Sequence, residues 1–139
     1  DRANDPGLSV FTADTSINAS GLLVSHTGEI IIPAEYGDID VISDRWYAAV
    51  RLVPSSDPNA PYWNLFGDDR YDIVDVDIYY HGQKIDPLPK EDWGYGYAYG
   101  DYLRVLTDTQ TIWFSANGEK RTGDSGEYVI KEACKHRGS

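Results

Sequence analysis

Gly21-Leu22-Leu23-Val24-Ser25-His26-Thr27-Gly28-Glu29-Ile30-Ile31-Ile32-Pro33-Ala34-Glu35-Tyr36 decides the fold. Two short apolar runs flank a turn at Thr27-Gly28, where glycine supplies the positive φ of a tight hairpin. The second run meets Pro33, which has no amide hydrogen for a ladder, so the strand is expected to end there.

Outward from this hairpin the chain keeps the same idiom. Upstream, Leu8, Val10 and Phe11 form a first strand after the Pro6-Gly7 opening, and 12–20 reads as a polar loop. Downstream, 36–44 is an extended connector. Trp46 to Val53 is a strand, and Pro54 to Pro61 is a surface excursion. Tyr71 to Tyr80 alternates, with Val74, Val76, Ile78 and Tyr80 on one face and Ile73, Asp75, Asp77 and Tyr79 on the other. His81-Gly82 turns the chain into Gln83–Ile85, which Pro87 and Pro89 are expected to stop. In Trp93-Gly94-Tyr95-Gly96-Tyr97-Ala98-Tyr99-Gly100, rings can pack on one side while bare backbone approaches a neighbour. Tyr102–Thr107 and Thr111–Ser115 flank a turn, and Asn117-Gly118 is a strong hairpin signal. Tyr128-Val129-Ile130 reads as a last strand or one helical turn, the strand preferred. No segment sustains a period of 3.6, so the fold class is all-β.

The idiom repeats. The turn glycines Gly28, Gly82 and Gly118 lie 54 and 36 residues apart, and removing the 54–69 excursion brings the intervals together. Each unit holds a strand, a second strand, a glycine turn and a return strand. About three units are expected (7–45, 46–100 and 101–121), followed by a polar tail over 122–139. They should stack as hairpins into one compact, solenoid or barrel-like domain spanning 1–139.

Thr27-Gly28-Glu29-Ile30-Ile31-Ile32-Pro33-Ala34-Glu35-Tyr36 resembles the bacterial WG-repeat family, whose units carry a Thr-Gly-Lys/Glu turn, an apolar strand ending in Pro and a Tyr-Asp connector. Asn117-Gly118-Glu119-Lys120 is similar to the turn, and Trp46–Val50 and Tyr102–Val105 to the leading strand. The aromatic-glycine pair of the family is missing before the turn strand in all three units. The resemblance implies a binding or scaffold module from a bacterium and carries no catalytic residues.

Composition sets further limits. The 139 residues suit one domain able to bury about two-thirds of its unfolded surface. Against 12 basic residues stand 23 acidic ones, a net charge of −11 that repels phosphate. This disfavours nucleic acid and anionic membranes and favours a basic protein or a cation, although solubility alone explains it too. No apolar run approaches the ~20 residues of a membrane span. Cys134 is the one cysteine, so no intrachain disulfide is expected. The chain has no methionine and is expected to be a processed product or a fragment. Asn18-Ala19-Ser20 fits a glycosylation sequon.

Catalytic and metal signatures are weak. Asp68, Asp69, Asp72, Asp75 and Asp77 could bind calcium, but EF-hand spacing is absent and a solvated strand face is the simpler reading. Asp75 and Asp77 satisfy a glycosidase carboxylate spacing only as any i, i+2 pair does. His26, His81 and His136 lack ligand spacing, and the first two suit turns. No nucleophile elbow or phosphate loop occurs. Trp63, Trp93, Tyr95, Tyr97 and Tyr99 are either core or a displayed binding surface.

The functional expectation is therefore a non-enzymatic module with no cofactor and no metal. It would bind a protein, a basic one favoured, through an acidic, aromatic-bearing surface formed by Trp63, Trp93, Tyr95, Tyr97, Tyr99, Asp75 and Asp77. A carbohydrate-binding module is the alternative and a carboxylate hydrolase the third choice. A secreted or surface location is slightly preferred to the cytoplasm.

Overall fold

The computed structural model describes residues 7–63 and 69–122. Asp68, Cys134, His136, the expected strand over Tyr128–Ile130 and nearly all of the polar tail lie outside them, as does the side chain of Trp63. Among the described residues the alternating runs form twelve strands: β1 (Leu8–Thr12), β2 (Ser20–Val24), β3 (Ile30–Tyr36), β4 (Asp38–Val41), β5 (Trp46–Ser55), β6 (Tyr62–Trp63), β7 (Arg70–Tyr80), β8 (Gln83–Pro89), β9 (Tyr95–Tyr99), β10 (Tyr102–Leu106), β11 (Thr111–Ser115) and β12 (Lys120–Thr122). Among the described residues the one helical element is a 3-10 turn over Lys90–Asp92. The protein is all-β.

Three open antiparallel sheets result. The first has the order β1-β2-β3. The second has β4-β5-β7, with β6 and β8 sharing the far edge of β7. The third runs β12-β11-β10-β9. Gly28, Gly82 and Gly118 lie in the turns joining β2 to β3, β7 to β8 and β11 to β12. Sheet boundaries fall at Gly37 and between Pro89 and Tyr95, not at 45/46 and 100/101, because β4 and β9 each pair with the strand that follows.

The middle sheet is covered on both sides. Trp46, Ala48, Val50, Leu52, Val76, Ile78 and Leu88 pack on Leu103, Val105, Ile112 and Phe114 of the third sheet. On the opposite face Ile39, Tyr47, Ala49 and Tyr79 meet Leu22, Ile32 and Tyr36 of the first. A strand buried on two faces loses polar alternation, which is why Trp46 to Val50 is an unbroken apolar run. Each fully buried large side chain contributes about 1.5–3 kcal/mol. Asn18 ties the first loop to this sheet, its Nδ2 donating to the Leu52 carbonyl at 3.0 Å and its Oδ1 accepting from the Leu52 N–H at 2.9 Å. The sequon asparagine is thus held within the fold.

Several local expectations are corrected. Pro33 does not end its strand, since β3 continues to Tyr36. β3 is an edge strand, and its register against β2 slips between Leu22↔Ile32 and Ser20↔Tyr36, so the proline needs no ladder partner. Pro87 likewise sits inside β8, another edge strand, which ends at Pro89 as expected. The connector 36–44 contains β4, paired with β5 from Asp38↔Val50 to Val41↔Tyr47. Tyr71–Tyr80 alternates only from Asp75 onward. Arg51 pairs with Asp75 and Leu52 with Ile73, so Val74 bulges out, 49% exposed, while Ile73 joins the face of Val76 and Ile78. At the second turn the left-handed residue is His81, at φ 53, and not Gly82.

Candidate binding face

Strand β9 alternates rings with small residues, and the two sides have different tasks. A Cβ added at Gly96 would lie 2.7 Å from Ile42 Cδ1 and 3.4 Å from the Trp93 ring, so the inward positions are small because the middle sheet is close. Tyr95, Tyr97 and Tyr99 face away from the core; Tyr95 is 75% and Tyr97 43% exposed. Register then assembles a row across four strands: Tyr97 opposite Arg104, Arg104 opposite Trp113, and Trp113 opposite Arg121.

The Arg104 guanidinium lies 5.1 Å from the Tyr97 ring centroid, 5.6 Å from Tyr99 and 5.8 Å from Trp113. Tyr99 and Trp113 are themselves 5.7 Å apart. Such contacts contribute about 0.5–1 kcal/mol each when exposed and more when desolvated. Trp113 is buried although it points away from the core. Among the described residues Arg104 Nε is enclosed with no hydrogen-bond acceptor, and no carboxylate pairs with this cation. Arg45, Arg51 and Arg121 each have a carboxylate partner.

Beside the rings opens a groove of about 700 Å³ lined by Ser43, Asp44, Asp101, Tyr102, Ser115 and Asn117, with Tyr99 shared between groove and ring face. Its wall is braced by Asp101, which accepts from Arg45 Nη1 at 2.8 Å and from the Tyr80 hydroxyl at 2.6 Å. The Tyr80 hydrogen bond, then the Arg45 charge, hold the Asp101 carboxyl below its ordinary value. Trp46 Nε1 donates to the Gly100 carbonyl at 3.0 Å, fixing the β9–β10 turn, with Gly100 at φ 59.

The remaining expected site residues lie elsewhere. Trp93 packs half-buried at the margin of the core. Asp75 and Asp77 point to the first sheet, where Arg51 clamps both at 2.7 and 2.8 Å. Asp77, 2% exposed, also accepts from the Tyr36 hydroxyl at 2.6 Å, with Lys84 Nζ at 3.5 Å. Two carboxylates on one guanidinium form a clamp and do not span a cleft as acid and base. Rings and acids therefore occupy different faces. Trp63 contributes its backbone to β6, opposite Arg70. Arg104 and Trp113 were not singled out by sequence reasoning. Their signal was phase: with Leu103, Val105, Ile112 and Phe114 inward, both must face out beside the tyrosines. Among the described residues no cluster of three His, Cys, Asp or Glu side chains could hold a metal ion, and no helix is long and apolar enough to cross a membrane.

The tyrosines between sheets impose a pH dependence. Burial first, then hydrogen bonds to Asp77 and Tyr79, raise Tyr36 far above the ordinary tyrosine value. Tyr62 is pushed up to about 12 by burial and by Asp38, and burial raises Tyr47 and Tyr80 as well. An acid with a raised native pKa keeps its proton in the folded state after the unfolded chain has lost it. Its stabilising share is thus complete below about pH 10 and is lost as pH rises through the native values. Tm is expected to begin falling above about pH 10 in thermal melts read by circular dichroism. A Tm constant to about pH 12 would contradict this.

Comparison with protein-family models, curated proteins and solved structures finds no match to this chain.

Proposed function

We propose that this chain is a non-catalytic β-repeat binding module whose ligand docks on the outward face of β9–β11 and in the groove beside it. The observation that carries this reading is the Tyr97–Arg104–Trp113 row. It displays tyrosine and arginine, the residue types that dominate binding hot spots, on a rigid sheet. Both clamped aspartates lie on another face, so the acidic groups here are Asp44 and Asp101 of the groove. The module is further proposed to be a divergent relative of the WG-repeat family, its three sheets being three stacked hairpin units. Support comes from the glycine turns after β2, β7 and β11. Tyr36-Gly37 and Trp93-Gly94 also stand in like positions, just before the first strands of the second and third sheets.

The test is capture by the immobilised full chain from native bacterial lysate, analysed for both proteins and polysaccharides. The Tyr97→Ala/Arg104→Gln variant is expected to lose the captured species by about tenfold or more, since each tenfold is only 1.4 kcal/mol. Identical capture by variant and parent would remove this face from consideration.

A further inference from the structure

Resting on the binding-module reading, we infer that the ligand of this face is a neutral polysaccharide chain, laid along β9 and entering the groove past Tyr99. Three features converge on that chemistry. Tyr95, Tyr97 and Tyr99 alternate along one strand, so the rings recur at steps of about 7 Å. A chain of linked pyranose rings can follow such a ladder and cover it with its C–H faces, whereas a single small ligand would use one step.

Arg104 supplies the second feature. Its guanidinium is held in place by three rings and its donors are consumed by no described carboxylate, in a chain with 23 acidic residues. A planar fork of N–H donors matches a carboxylate best and can also donate to two neighbouring hydroxyl oxygens. Net charge separates those alternatives. At −11 the protein repels a polyanion, and an uncharged hydroxylated chain meets no such barrier.

The groove is the third. Tyr102 offers a hydroxyl, Asn117 an amide nitrogen, Asp44 an acceptor and Arg45 a cation, while the Ser43, Ser115 and Asp101 oxygens already bond within the protein and present only what capacity remains. Sugar hydroxyls donate and accept at once, so a wall mixing both roles satisfies them where a purely apolar or purely basic wall would not.

Native affinity electrophoresis of the full chain tests this, in gels containing hydroxyethylcellulose, xylan, mixed-linkage β-glucan, galactomannan or polygalacturonate. Retardation is expected in at least one neutral gel. Kd should rise about tenfold or more in Tyr97→Ala and in Arg104→Gln, both with unchanged far-ultraviolet circular dichroism. Tyr95→Ala, at the most exposed ring, provides a second readout should either variant fold poorly. Retardation by polygalacturonate alone would overturn the neutral assignment in favour of an acidic ligand. No retardation in any gel would overturn the carbohydrate assignment altogether. If protein capture from lysate still depended on Tyr97 and Arg104, the binding reading would survive that result, and without such capture both would fall.

Discussion

Arg51→Met is expected to destabilise the protein by about 3 kcal/mol, the lower end of the range for uncovering a buried charge, because Asp77 is buried while the Arg51 side chain is 33% exposed. Asp77 is 2% exposed, and its carboxylate is compensated by Arg51 at 2.8 Å, the Tyr36 hydroxyl at 2.6 Å and Lys84 at 3.5 Å. Without Arg51 the charge keeps only the Tyr36 hydroxyl and the Lys84 ammonium at 3.5 Å, and the Tyr36 ring loses the guanidinium 4.9 Å above it. Burial alone would lower the Arg51 pKa. The hydrogen bond that Arg51 donates to Asp75 and the charge of Asp77 more than reverse that, so the arginine is firmly cationic. The double variant Arg51→Met/Asp77→Leu should recover at least half of the loss. Replacing a whole buried pair by apolar side chains is often neutral, and Tyr36 keeps the Tyr79 hydroxyl 2.9 Å away. Urea denaturation measures both effects. A loss below about 1 kcal/mol for the single variant would mean that the clamp is solvated in solution.

Gly94→Ala is expected to cost about 3 kcal/mol or more, at the upper end of overpacking penalties. The new Cβ would stand 1.9 Å from the Leu106 carbonyl oxygen and 3.0 Å from its carbon. Both are backbone atoms, so no rotamer change relieves the clash, and β9 would have to leave β10. Gly118→Ala makes the internal control. Its Cβ would meet nothing within 4 Å, but φ is +94, so only left-handed backbone strain of about 1–2 kcal/mol remains. Thermal melts should therefore rank Gly94→Ala well below Gly118→Ala. The reverse order would show that the β9–β10 approach is looser than described. Because β9 carries the ring face, Gly94→Ala should weaken ligand capture and stability together.

Much of the fold was legible in local pattern. Leu8–Phe11, Trp46–Val53, Tyr102–Thr107 and Thr111–Ser115 all read as strands, and all are strands in the structure, because side-chain alternation is a property of extended backbone itself. Legibility failed where a partner strand intervenes. Pro33 and Pro87 were read as stops, yet both lie in edge strands, and nothing within five residues tells an edge from a centre. Tyr71–Tyr80 was assigned one continuous phase. A bulge at Val74, set by pairing with Arg51 and Leu52, moves Ile73 to the other face.

The candidate site divides in the same way. The glycine–aromatic alternation of 94–99 announced rings on one side and close backbone on the other, and Gly96 against Ile42 realises it. Nothing local joined Tyr97 to Arg104 and Trp113, or parted them from Asp75 and Asp77.

The sequence by itself left open whether the tyrosines are core or surface, and determined the all-β class, most strand positions and the three glycine turns. Each of these follows from dihedral preferences and a two-residue period, which act over a few bonds. Tertiary structure alone decided which strands are edges, that the middle sheet is buried on both faces, and that an arginine with no carboxylate partner among the described residues lies among three rings. Those depend on register between strands distant along the chain, and register is settled by the combined packing of whole sheets.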